Sequence, residues 1–198
     1  MDVALGLKAR TGRAVLVAIG GTPREPLFVE RCVLALLPEG AFAPYHAAEG
    51  LEPEAARESV RLSISAANRL AATGIREAAN RLAGAGHAVC GCGVLVGRGM
   101  PDWSTDEILA VHVRMHQAEG ELFRDVLVAG THACGLALTT LPDKSALEAA
   151  AERLGEVPAD LAARLAALGK TAGPPWGKDQ KEAAAAALAA LRSHLENP

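Results

Sequence analysis

Three short aliphatic runs, at residues 3–7, 14–19 and 27–37, come before any helical pattern, and the strand-like runs that follow are separated by long amphipathic stretches. A polar connection at residues 8–13, with Gly12 near its end, joins the first two runs as a hairpin, and Gly20-Gly-Thr-Pro23 turns the chain into the third. Pro53 stands at a first helical position, and Val60, Ile64, Ala67 and Ala71 mark the apolar side of a helix that reaches about residue 82. A strand is expected over 88–96, where Gly91 and Gly93 leave one face nearly bare for a close neighbour. Ser104 and Glu107 form a capping-box signature for a helix to about residue 129, and a strand follows over 134–141. Helices over 145–154, 158–168 and 178–195 complete the chain. An antiparallel meander followed by strand–helix alternation implies an α/β fold: a mixed five-stranded sheet, its fourth and fifth strands parallel to the first, with helices on both faces. At 198 residues, with no flexible linker in view, residues 1–198 read as a single domain.

Composition narrows the function classes. Half of the residues are hydrophobic but only 3% are aromatic, so the core must be built from Ala, Leu and Val. The same scarcity of rings counts against single-strand binding by base stacking. A net charge of −3 gives no global attraction to nucleic acid or to anionic membranes, which leaves only a local basic patch for such a partner. Cys32, Cys90, Cys92 and Cys134 form no C-x-x-C pair, which argues against a zinc ribbon or a thioredoxin-like site. Without a basic-then-apolar leader or a run long enough to span a bilayer, the expectation is a cytoplasmic protein with reduced thiols and no membrane partner.

One helix carries an unusual polar stripe. At about 100° per residue, His112, His116 and Glu119 fall within roughly 60° of one another. Ile108, Leu109, Met115, Phe123, Val126 and Leu127 project into the same arc, so the stripe is expected to face inward. Buried polar groups without partners cost about 1–3 kcal/mol each, so the stripe must either be satisfied by a network or line a pocket. Histidines one turn apart can share a cation, and a carboxylate one turn on can complete or orient the set. Tyr45, His46 and Glu49 lie between the third strand and the first long helix. Lys178 and Asp179 occupy the first turn of the last helix, whose free N–H groups favour an anion.

The element order resembles the ribonuclease H-like superfamily, and more narrowly the RuvC-type Holliday-junction resolvases. Gly6-Leu7-Lys8-Ala-Arg-Thr-Gly12-Arg-Ala-Val-Leu-Val sits where that family has its first strand, turn and second strand, and the run at 89–96 matches its fourth strand. Gly177-Lys-Asp179-Gln-Lys-Glu182-Ala-Ala-Ala-Ala-Ala-Leu resembles its alanine-rich last helix with a carboxylate near the start. The resemblance implies two divalent metals held by carboxylates from the ends of strands one and four and from the last helix. Here Lys8 stands at the first of these positions, Val94-Leu-Val96-Gly97-Arg98 offers no acid at the second, and only Asp179 has a counterpart at the third.

The reading that follows is a lapsed nuclease-like scaffold that binds an anionic small molecule or a nucleic-acid-like partner at the sheet end through Lys8, His46, Lys178 and Asp179. An enzymatic alternative is a phosphodiesterase dependent on a divalent metal (Mg, Mn or Zn) held by His112, His116, Glu119 and Glu49. A third is a non-catalytic structural module that self-associates as a homodimer through its Ala/Leu-rich helices.

Overall fold

A computed structural model describes residues 1–196. Strands β1 (Asp2–Arg10), β2 (Arg13–Gly21) and β3 (Pro26–Ala35) form the antiparallel meander, and β4 (Ala88–Val96) and β5 (Leu138–Pro142) add to it in parallel. The sheet order is β3-β2-β1-β4-β5, as expected of the mixed sheet. Helices α1 (Pro44–Ala48), α2 (Pro53–Gly84), α3 (Thr105–Leu109) and α4 (His112–Ala133) cover one face, while α5 (Ala146–Leu154), α6 (Pro158–Ala172) and α7 (Lys178–Glu196) cover the other.

Strand alternation divides the two cores. Val3, Leu5 and Leu7 of β1 pack with α2 and α4, whereas Ala4 and Gly6 point toward α7. That strand face explains the alanine run of α7. Residues 183–191 are all buried, and a Cβ built on Gly6 would overlap the Ala183 carbonyl and stand 2.7 Å from Ala187 N. Gly93 on the neighbouring strand meets the Ala186 carbonyl in the same way, so the helix backbone rests directly on a glycine strip.

Several boundaries differ from the sequence reading. The hairpin closes on Thr11 and Gly12 alone, with Gly12 at φ +69°, so residues 8–10 belong to the strand rather than to a polar loop. The expected helix over 104–129 is two helices. Ser104 and Glu107 do form a reciprocal capping box for α3, but the chain breaks at Ala110 and extended Val111 (φ −139°, ψ 111°) before α4 begins at His112. The strand expected at 134–141 begins only at Leu138, because Cys134 caps α4 and Gly135 leaves the helix with φ +68°. Helix α2 runs unbroken through Gly74, which lies against the Leu34 side chain.

Candidate functional site

Because Lys8 and Arg10 follow Gly6 at intervals of two, both side chains leave β1 on the α7 side. Asp179 and Glu182, three residues apart, lie on one face of the first turns of α7 and receive them. Lys8 is only 5% exposed. Its Nζ donates to Asp143 Oδ1, just beyond β5, and lies 2.9 Å from Glu182 Oε2 without an aligned hydrogen bond to that oxygen. Arg124 of α4 donates to the other Asp143 oxygen at 2.7 Å and lies 3.5 Å from Glu121. Arg10 donates Nε to Asp179 Oδ2 at 2.9 Å and Nη2 to Oδ1. Burial pushes the Asp143 carboxyl up, but hydrogen bonds from Lys8 and Arg124, with their charges, outweigh it and hold Asp143 below the ordinary aspartate value. The hydrogen bond from Arg10 likewise holds Asp179 low. Lys178 is 80% exposed at its side chain, with Nζ 3.7 Å from Glu182.

On the other side of α4 the polar stripe divides. Glu119 is buried, whereas His112 and His116 are exposed, contrary to the expectation that all three face inward. The break at Val111 makes His112 the first residue of α4, where it is exposed while Met115 on the same turn is buried. Glu119 has a clear structural role. Ala43 at the N-cap of α1 has no side-chain acceptor, and Glu119 Oε1 instead accepts from the backbone N–H groups of Tyr45 and His46, each at 3.1 Å. Both Glu119 oxygens also lie 2.9 Å from His46 Nδ1. Burial, followed by the Glu119 charge, pushes the Tyr45 hydroxyl above its usual range. His46, His112 and His116 come together with ring centroids 4.7–5.2 Å apart. Glu49 is exposed at the end of α1 and stays outside this cluster.

A chain of grooves joins the two constellations. A cavity of about 420 Å³ is lined by Arg98, Glu121, Arg124, Asp143 and Lys144. Arg124 and Asp143 also line a smaller one of about 150 Å³ with Arg10 and Thr11. Thr11 in turn borders a groove of about 670 Å³ with Arg13, Phe42, His46, His116 and Glu119. Arg13, Arg98 and Lys144 are exposed along this path and have no ion-pair partner among the described residues.

Two solved structures of RuvC from Thermus thermophilus share this arrangement of strands and helices. One, in complex with a Holliday-junction substrate, is 12% identical, with a TM-score of 0.52 over 100% of this chain and 97% of that one. The other is 10% identical, with a TM-score of 0.51 over 94% and 92%. The chain has a RuvC-like, ribonuclease H-like fold. No family model and no curated protein matches the sequence.

Within the RuvC-like fold, the residues at the sheet end do not fit a pair of divalent cations. The Lys8 ammonium stands between Asp143 and Glu182, the place where a cation would need those carboxylates. At the tip of β4, Gly97 has no side chain to offer, and a Cβ there would overlap the Glu121 carboxylate, which α4 delivers into that space. Asp143, Glu182 and Arg10 lie outside the candidates that the sequence offers, whereas Glu121 does pair with Arg124 one helical turn on. Period two from Lys8 reaches Arg10, and a three-residue helical step from Asp179 reaches Glu182. Asp143 carries the general signal of an acid at the carboxyl end of a parallel strand. Trp176 is a packing residue, donating Nε1–H to Leu165 O at 2.9 Å and meeting Phe28 edge to face. Among the described residues no helix is long and apolar enough to cross a membrane.

Proposed function

We propose that this protein is a lapsed nuclease-like scaffold that binds a nucleic-acid-like polyanion along the groove at the end of its sheet. The observation that carries this reading is Lys8 held between Asp143 and Glu182 where the resemblance calls for metal-binding carboxylates. A fixed ammonium neutralises those acids without supplying the two Lewis-acid centres that in-line phosphodiester cleavage uses. Arg98, Lys144 and Arg13 then stand along connected grooves as cations free to meet phosphates. The solved RuvC complex with a Holliday junction supports a nucleic-acid partner of branched shape. The small number of aromatic side chains favours backbone contact over base stacking.

Fluorescence anisotropy with labelled four-way, duplex and single-stranded DNA tests this reading. Binding at low salt is expected, weakening as salt rises, with log K falling by about 0.9 per phosphate contact for each unit of log salt on duplex arms. A triple R13Q/R98Q/K144Q variant should bind more weakly and with a shallower salt slope. Absence of binding to all three DNAs, or unchanged binding by the variant, rejects the polyanion reading. Junction cleavage in magnesium or manganese rejects the loss of activity.

A further inference from the structure

We propose that His46, His112 and His116 form a three-histidine site for one borderline divalent first-row cation, with zinc the best match, and that Glu119 positions His46 within it. The site stands independently of the polyanion reading. One ligand atom from each histidine lies within 4.8 Å of the other two, and the Nε2 atoms of His112 and His116 are 3.1 Å apart. Metal–nitrogen bonds of about 2.0–2.1 Å at tetrahedral angles place two donor nitrogens roughly 3.3 Å apart, so this pair already has the spacing of two ligands on one ion.

Two further observations favour a cation over a self-contained imidazole cluster. First, Glu119 accepts from His46 Nδ1, which fixes the proton on that nitrogen and leaves Nε2 with its lone pair, the tautomer that a carboxylate-supported metal ligand needs. Glu119 is itself locked by the two backbone N–H groups of α1, so the orienting group is rigid. Second, His112 and His116 are exposed and, among the described residues, meet no carboxylate; their Nε2 atoms pair with each other, a contact that an entering cation would replace. Three neutral nitrogens leave a fourth position, and the adjoining groove with Arg13 on its wall suits a water or an anionic oxygen ligand there.

The test uses the full chain, stripped with chelator, dialysed and titrated with cobalt(II) and then zinc(II). One cobalt per chain should bind with the visible absorption of a tetrahedral site, and zinc should displace it. The H112A/H116A double variant should lose the signal, as should H46A. Because both α4 histidines are exposed, the double variant should keep the wild-type circular dichroism. E119Q retains an acceptor for His46 and should bind roughly 10-fold more weakly. No saturable binding by the wild type, or binding that survives H112A/H116A, overturns the site. Wild-type affinity in E119Q overturns the positioning role of Glu119. These readouts contain no nucleic acid, so a failure of polyanion binding leaves them interpretable.

Discussion

Lys8 Nζ at the tip of β1 lies 2.9 Å from Glu182 Oε2 on α7, and the same ammonium donates to Asp143 beyond β5, so one buried cation ties three elements together. Removing it leaves two carboxylates facing each other in a partly desolvated corner. Lys8→Met should therefore cost about 3 kcal/mol of unfolding free energy, measured by urea denaturation. Arg124 still pairs with Asp143, so the protein should remain folded. The K8M/E182Q double variant should recover part of the loss, giving a coupling energy well above the error of a double-mutant cycle. Additive effects would show that Lys8 and Glu182 do not interact.

Asp143 and Asp179 are both held below the ordinary aspartate value in the folded protein. A depressed folded value means that the unfolded chain binds protons first on acidification. The stabilisation is thus complete above the unfolded aspartate value of about 3.9, and is lost as pH falls from there through the folded values. Urea midpoints should be insensitive to these two groups near neutrality and should drop below about pH 4. D143N/D179N should flatten that acid limb. An unchanged limb in the double variant would assign the acid sensitivity to other carboxylates.

Glu119 caps α1 from a distant helix, an arrangement that joins the histidine cluster to local stability. Glu119→Ala leaves the Tyr45 and His46 N–H groups without their acceptor and should destabilise by about 1–3 kcal/mol. Glu119→Gln keeps an amide oxygen in place and should lose less. Hydrogen exchange at Tyr45 and His46 checks the assignment directly: protection should fall in the alanine variant, and retained protection there would mean that α1 does not depend on this cap.

The sheet was legible in the sequence because residues 3–7 and 14–19 are short aliphatic runs joined by a turn, and strand–helix alternation after the meander sets the later strands parallel to the first. The break between α3 and α4 was not. Ala110 and Val111 are ordinary letters within a helical pattern, and the helix ends there without a glycine or proline. For the same reason the stripe at His112, His116 and Glu119 was recognised as a group, while its division into an exposed histidine pair and a buried acid was not. The approach of His46 to that pair depends on the path of residues 36–43, which periodicity does not encode. Glu182 stands in the last-helix motif, but its pairing with Lys8 depends on the register of β1 against α7, which periodicity does not encode.

That register rests on two glycines, Gly6 and Gly93, whose missing side chains let the α7 backbone sit on β1 and β4. A methyl group at Gly6 would meet the carbonyl of Ala183 and the backbone nitrogen of Ala187, neither of which can move without shifting the helix. Gly6→Ala should cost about 3 kcal/mol or more, and Gly93→Ala a similar amount, read as lowered urea midpoints. Because Asp179 and Glu182 ride on the same helix, displacement of α7 should also loosen the Arg10–Asp179 and Lys8–Glu182 pairs. The variants should therefore show a weaker acid limb as well as lower stability at neutral pH. Gly84 and Gly135 serve as controls, since a Cβ there meets nothing within 4 Å. Gly84 is the cleaner of the two because the backbone of Gly135 is left-handed. Gly84→Ala should be neutral or slightly stabilising, and a loss at Gly84 equal to that at Gly6 would reject close helix–strand contact as the cause.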